Sequence, residues 1–175
     1  MASPDDERAR PDWETPLPIL TGRAWAFGMR LASTDVLPVR FANAEPSAAR
    51  HCLFADVDCG LARQIAPGDV VVADEHEGGD AVAAPALAAL HAAGVVVLVG
   101  RRFAPAVERC ASAHGIITIV LDAPAFIHTG DRLRIDLEDA KVVNLSSGDR
   151  AAIRNLDAGR RAALRGLLGI DTELA

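Results

Sequence analysis

The sequence predicts an α/β fold with a mostly parallel core sheet and a β extension, and three observations carry that reading. Residues 70–73, 95–99 and 116–121 are short runs rich in Val and Ile, the second of them fully apolar, as strands buried on both faces should be. Helical patterns separate them, and strand–helix–strand spacing of this kind implies parallel pairing with right-handed crossovers. Residues 132–137, RLRIDL, then alternate with period two, the pattern of a half-exposed antiparallel strand.

Taken in order, residues 1–18 are polar, acidic and proline-bearing, and are expected to form a flexible lead-in to one domain over residues 19–175. Residues 22–27, GRAWAF, read as a short strand. A loop carrying Ser33, Thr34 and Asp35 follows, and then a short helix over residues 46–53 with Pro46 in its first turn. The turn Pro67-Gly68-Asp69 launches the first buried run. A glycine loop over residues 74–82 leads to a helix over residues 83–93, with Pro85 near its start and Gly94 at its C-terminal cap. Phe103, Val107, Cys110, Ala111 and His114 share one face of the next helix. After the alternating strand, residues 142–145 can pair back across the Asp139-Ala140 turn, and an Arg-rich helix over residues 157–168 ends the chain.

Composition narrows the function. A chain of 175 residues has length for one sizeable core, built from Val, Leu, Ile and Ala because aromatics make up only 4%. A net charge of −6 argues against nucleic-acid binding, which needs positive charge concentrated against phosphates. The N-terminus has no apolar core of a secretory signal, and no apolar run approaches the ~20 residues of a membrane helix. A cytoplasmic location is therefore expected. Cys52, Cys59 and Cys110 include no C-x-x-C pair, so neither a disulfide framework nor a zinc or iron–sulfur site is expected on this chain.

The candidate site lies in the loops that follow the buried strands, the side on which parallel sheets bind ligands. His76, Glu77 and Asp80 read either as an acid/base or metal-ligand set or as a solvated acidic loop, and the solvated loop is preferred. Gly78 and Gly79 would let backbone N–H groups face an anion at a helix N-terminus, opposed by the charges of Glu77 and Asp80. Arg101 and Arg102 end a buried strand and are the best carboxylate binders available. Thr34 and Asp35 read equally as site residues or as a turn. Arg109 reads as a solvated residue, Cys110 as core, and His91, His114 and His128 as core or surface. Arg154, Arg161 and Arg165 form a helical stripe that is either solvated or set to meet an acidic partner.

Several of these pieces resemble, in order, the small-subunit family of 3-isopropylmalate dehydratase, the swivel domain of the aconitase superfamily. GRAWAFG at residues 22–28, Thr34-Asp35 and Leu37-Pro38 are similar to that family's opening strand and Asp-Thr-Asp loop. Residues 65–73, IAPGDVVVA, are similar to its Pro-Gly-Asp strand element. Arg102-Phe103-Ala104, Arg109 and Gly115-Ile116 resemble its next helix and closing strand, and Gly130-Asp131 a later turn. The resemblance spans about residues 22–145 and implies a swivelling β/β/α domain.

It also implies a role. Such a subunit pairs with a large aconitase-like subunit whose 4Fe–4S cluster binds the hydroxyl to be eliminated from a hydroxy-dicarboxylate. The small subunit supplies a serine base and carboxylate-gripping arginines. This chain departs at that point: Ala81, Val82 and Ala83 stand where the family carries Ser-Ser-Arg, and only Gly78 of that loop is retained. Alanine can neither accept a proton nor form the two parallel hydrogen bonds of an arginine fork. The resemblance thus implies a divergent hydro-lyase subunit with Thr34, Asp35, Gly78, Gly79, Asp80, Arg101 and Arg102 toward substrate and no assigned catalytic residue. The alternatives are a non-catalytic interaction or regulatory subunit, and a phosphohistidine-type swivelling domain using His76.

Overall fold

The computed structural model describes residues 16–170. The chain opens with β1 (Ile19–Ala26), β2 (Arg30–Ala32), the one-turn helix α1 (Ser33–Val36) and the equally short α2 (Pro46–Ala49). Next come β3 (Val70–Val72), β4 (Glu75–Glu77), the long helix α3 (Asp80–Ala92), β5 (Val97–Gly100), β6 (Arg102–Phe103) and α4 (Pro105–Ala113). It closes with β7 (Ile117–Val120), β8 (Arg132–Asp136), β9 (Lys141–Asn144), β10 (Arg150–Ala152) and α5 (Ala158–Leu167).

Seven strands form one sheet in the order β10-β9-β8-β1-β3-β5-β7. The β-branched runs pair in parallel as expected, Val70 with Val97 and Val97 with Ile117. β1 joins them through Ala24–Val70 and faces the antiparallel extension through Ile19–Asp136 on its other side. Because side chains alternate, each central strand feeds two cores. Trp25, Val71 and Leu98 point to α3, where Ala86, Leu87 and Leu90 receive them. Val70, Val72, Val97, Val99, Ile117 and Ile119 point the other way and meet Leu133, Ile135 and Val142. That second core lies inside a curl of the sheet. After β10, the Arg154 N–H donates to the Val120 carbonyl at 2.9 Å, and the Asn155 amide bonds the Val120 N–H and the Thr118 carbonyl at 3.0 and 2.9 Å. The two ends of the sheet are thereby stitched together.

Two details fix β1 against the turn before β3. Asp69 is buried, and its Oδ2 accepts from Trp25 Nε1 (2.8 Å), Arg23 Nη2 (3.0 Å) and the Ala66 N–H (2.9 Å). Gly22 lies so near the Pro67-Gly68 turn that a Cβ there would fall 2.0 Å from the Gly68 carbonyl oxygen.

Beyond the C-terminal ends of β1, β3 and β5 the chain kinks and forms a second, smaller parallel sheet, β2-β4-β6. The loop expected over residues 74–82 contains β4, because a three-residue strand is too short to show periodicity. His76 is a correction. Its register partners are Leu31 and Phe103; the ring is 4% exposed, stacks on Phe103 at 4.6 Å and shares a 2.9 Å hydrogen bond with the Val99 carbonyl, so Nε2 carries the proton. It is neither a solvated loop residue nor accessible for phosphoryl transfer. Other boundaries also differ. α3 begins at Asp80, with Gly79 as N-cap, so Pro85 stands in its second turn. Phe103 belongs to β6, and the helix expected over residues 46–53 is one α turn followed by a 3₁₀ turn.

Of the lead-in expected over residues 1–18, residues 1–15 lie outside the described ones; Leu17 is buried, with its N–H on Glu138 at 2.9 Å. The arginine stripe near the C-terminus folds back onto the sheet: Arg161 donates to the carbonyls of Leu137 and Glu138, and Arg154 pairs with Asp122.

Two outcomes follow. Gly22→Ala is expected to lower unfolding free energy by on the order of 3 kcal/mol in urea titrations, since the turn must move to admit the methyl group. Burial lowers the His76 pKa to about 4, with the Val99 hydrogen bond opposing. The unfolded chain therefore takes up a proton that the folded one refuses as pH falls from about 6.5 to about 4. That contribution is whole above pH ~6.5, and about 3 kcal/mol of it is lost by pH ~4. His76→Phe has no such loss, so its stability deficit against wild type shrinks by that amount on acidification; a deficit that stays constant would rule His76 out.

Candidate functional site

The second sheet is a platform on which charges alternate. Along β4, Glu75 and Glu77 face outward while His76 faces the core. The flanking strands bring guanidinium groups to the same face: Arg30 lies 2.5 Å from Glu77, and Arg102 lies 3.6 Å from Glu75. Arg101, just before β6, reaches Asp74 at 2.8 Å and Glu75 at 3.5 Å, and its backbone N–H also bonds the Asp74 carbonyl. At the mouth of α3, Arg109 holds both oxygens of Asp80 at 3.0 and 3.1 Å. The four arginines thus face four carboxylates, and the cluster carries no net charge.

The predicted residues fall around this platform with different roles. Asp35 accepts from the Ala32 N–H at 3.0 Å and caps α1, whereas Thr34 is exposed on that turn. Gly78, at φ 152°, packs on Ser33, whose Oγ would lie 2.3 Å from an added Cβ. The Ser33 hydroxyl donates to the Glu77 carbonyl at 2.9 Å and is buried, so the residue before Thr34 joins the two loops together. Gly79 is open and caps α3. Asp80 is exposed and ion-paired, and Ala81 to Ala83 make the first turn of α3 without a hydroxyl or cation. Arg109 is exposed, as expected, and paired with Asp80. Arg102 is the freest of the cations, with a 70% exposed side chain and an ion pair too long for a hydrogen bond.

Beside the platform lies a mostly apolar cleft of about 480 Å³ that the sequence did not reveal. Ala26, Val72 and Ala73 form one wall at the ends of β1 and β3; Ile127, His128 and Thr129 form the other. Thr129 Oγ1 accepts from the Ala26 N–H at 2.9 Å and donates to the Ala26 carbonyl at 3.2 Å, tying the far wall to β1. The fully buried Asn144 braces that loop through the Phe126 carbonyl and Asp131. The backbone N–H of His128, with the Asn144 amide second, holds the Asp131 carboxyl below its usual range. Asp74 lines the cleft and also pairs with Arg101, so cleft and platform share one residue. Residues 124–129 meet β1 over more than a hundred positions of chain, and nothing local in the sequence signals that meeting.

Among the described residues no three His, Cys, Asp or Glu side chains converge to hold a metal ion. Cys52 and Cys110 are half-buried and Cys59 is exposed; burial pushes the Cys110 thiol up, away from the reactive thiolate. No helix among the described residues is long and apolar enough to cross a membrane.

No family model matches the sequence. The chain is 32% identical over 134 residues to the 3-isopropylmalate dehydratase small subunit of Moorella thermoacetica, covering 75% of this chain and 80% of that protein. It is 31% identical over 132 residues to 3-isopropylmalate dehydratase small subunit 2 of Archaeoglobus fulgidus, covering 74% and 79%. The fold matches the crystal structure of a 3-isopropylmalate dehydratase from Methanocaldococcus jannaschii at a TM-score of 0.75 and 23% identity, over 84% of this chain and 88% of that one. On sequence and fold together, the chain belongs to the family of 3-isopropylmalate dehydratase small subunits.

Proposed function

We propose that this chain is the substrate-orienting subunit of a two-subunit hydro-lyase that interconverts a branched hydroxy-dicarboxylate and its dehydration product. The observation that carries the reading is the meeting of Arg101, Arg102 and the apolar cleft around Asp74, beyond the C-terminal ends of the parallel strands. A hydroxy-dicarboxylate with an aliphatic branch, such as 3-isopropylmalate, asks for those two surfaces. One carboxylate would meet the Arg102 fork, and the branch would lie against Val72, Ala73 and Ile127. The partner is a large aconitase-like subunit that holds a 4Fe–4S cluster, which would supply Lewis-acid chemistry at the departing hydroxyl. This chain's share is to bind, orient and exclude water. Among the described residues of the platform there is no exposed serine base: Ser33 is buried and its hydroxyl donates to the Glu77 carbonyl, so proton transfer falls to the partner or to water.

A second reading is a non-catalytic interaction or regulatory subunit, and one observation favours it. The platform's arginines are already balanced by Asp74, Glu75, Glu77 and Asp80, which weakens any pull on a dicarboxylate. Co-expression with a cluster-loaded large subunit separates the two readings. A hydro-lyase subunit yields a complex that dehydrates 3-isopropylmalate; a regulatory one yields a complex without turnover. On the first reading, Arg102→Ala is expected to lower kcat/KM about 10- to 100-fold, chiefly through KM, as loss of a charged hydrogen bond implies. Arg154→Ala, whose partner Asp122 belongs neither to the platform's ion pairs nor to the cleft lining, is expected to leave it unchanged.

A further inference from the structure

At the opposite edge of the parallel strands lies a second concavity, an open bowl of about 500 Å³. Pro67, on the turn before β3, and Gly94, on the turn before β5, form part of it; it therefore sits at the N-terminal ends of strands whose C-terminal ends carry the platform. Four basic side chains, Arg50, His51, Arg63 and His91, line it, and among the described residues no Asp or Glu does. That is unusual for a chain of net charge −6. Elsewhere Arg23, Arg30, Arg40, Arg101, Arg109 and Arg154 each hold a carboxylate at 3.0 Å or less. Among the described residues the Arg50 guanidinium hydrogen-bonds to neutral groups, the His51 ring at 3.3 Å and the Ala92 carbonyl at 3.4 Å. Arg63 is exposed, and its guanidinium makes no hydrogen bond or ion pair with the described residues.

We propose that this bowl is a binding site for a small polyanion, a metabolite carrying two clustered phosphate or carboxylate groups. Guanidinium forks bind such groups through paired, charge-assisted hydrogen bonds, and two of them on one wall suit two anionic groups. The imidazoles of His51 and His91 add donors, while Ile65 and Pro67 offer an apolar strip to the ligand's carbon skeleton. The carbonyl end of α3 opposes an anion, but the Arg50 guanidinium already sits against its Ala92 carbonyl and offsets that end. The site is separate from the platform. α3 runs from Asp80 at one to Ala92 at the other, a helix of 13 residues and roughly 20 Å.

Titration calorimetry of the full-length chain with pyrophosphate, and separately with citrate, tests this without partner or turnover, so its result is independent of the hydro-lyase assignment. Saturable binding of either anion is expected, and which one binds tells phosphate from carboxylate recognition. Arg50→Gln/Arg63→Gln should weaken it by at least about tenfold, and Arg63→Gln alone, which breaks no internal contact, should weaken it measurably. The control Arg132→Gln/Arg150→Gln, at exposed positions on β8 and β10, should leave it unchanged. Three results would overturn the proposal: no saturable binding below about 10 mM, binding insensitive to both bowl variants, or equal weakening in the control pair.

Discussion

Strand β1 is the constraint on which the rest of the molecule hangs, because it must pair in two senses at once. Its first five residues run antiparallel to β8, and its last three run parallel to β3. Both neighbours demand close approach at the same place, next to the turn before β3. Gly22 makes room for that turn, and the buried Asp69 carboxylate ties it to β1 through the Trp25 indole and the Arg23 guanidinium. A buried charge is tolerated there because several donors converge on it. With β1 held, the antiparallel extension can curl around the inner core, and the C-terminal ends of β1, β3 and β5 are brought level to begin the second sheet.

The level ends decide what the site can be. Each strand continues into a partner of the small sheet, so charged side chains arrive in register and compensate one another across strands. The platform is therefore structurally self-sufficient: its arginines help hold β2, β4 and β6 together as well as facing solvent. Relatives in the family keep a hydroxyl and a cation at the start of the following helix, as the resemblance implies. Here that turn is Asp80 and alanines, and the Arg109 ion pair holds Asp80 in place of open anion-binding capacity. On the proposed reading, affinity for a dicarboxylate would come from the looser Arg102 and from the apolar wall rather than from excess positive charge.

How much of this was legible in the sequence depends on the range of the signal. Val70–Val72, Val97–Gly100 and Ile117–Val120 announce themselves because nearly every residue is apolar, Thr118 being the exception, and the alternation of Arg132–Asp136 reads directly as a half-exposed strand. Position alone puts Arg101 and Arg102 at the end of a buried strand, but it does not reveal that Asp74 and Glu75 neutralise them. His76 was misread since its neighbours in sequence are acidic, whereas its neighbours in space are Leu31 and Phe103. Pro85 near a helix start points to Ala83 as the beginning of α3; the glycine N-cap and Asp80 begin it earlier, the acidic residue favoured by the helix dipole. The cleft wall from Pro124 to Thr129 depends on long-range contacts with β1 and Asn144, for which no local pattern exists.

The stitch made by Asn155 has a consequence for the molecule's behaviour among its own copies. An outermost parallel strand of four β-branched residues would present unpaired N–H and C=O groups, a template for another chain to add a strand. Arg154 and Asn155 occupy the Val120 and Thr118 backbone groups on that edge. The segment after β10 therefore does more than close the curl: it covers the edge from which β7 could otherwise propagate the sheet between molecules.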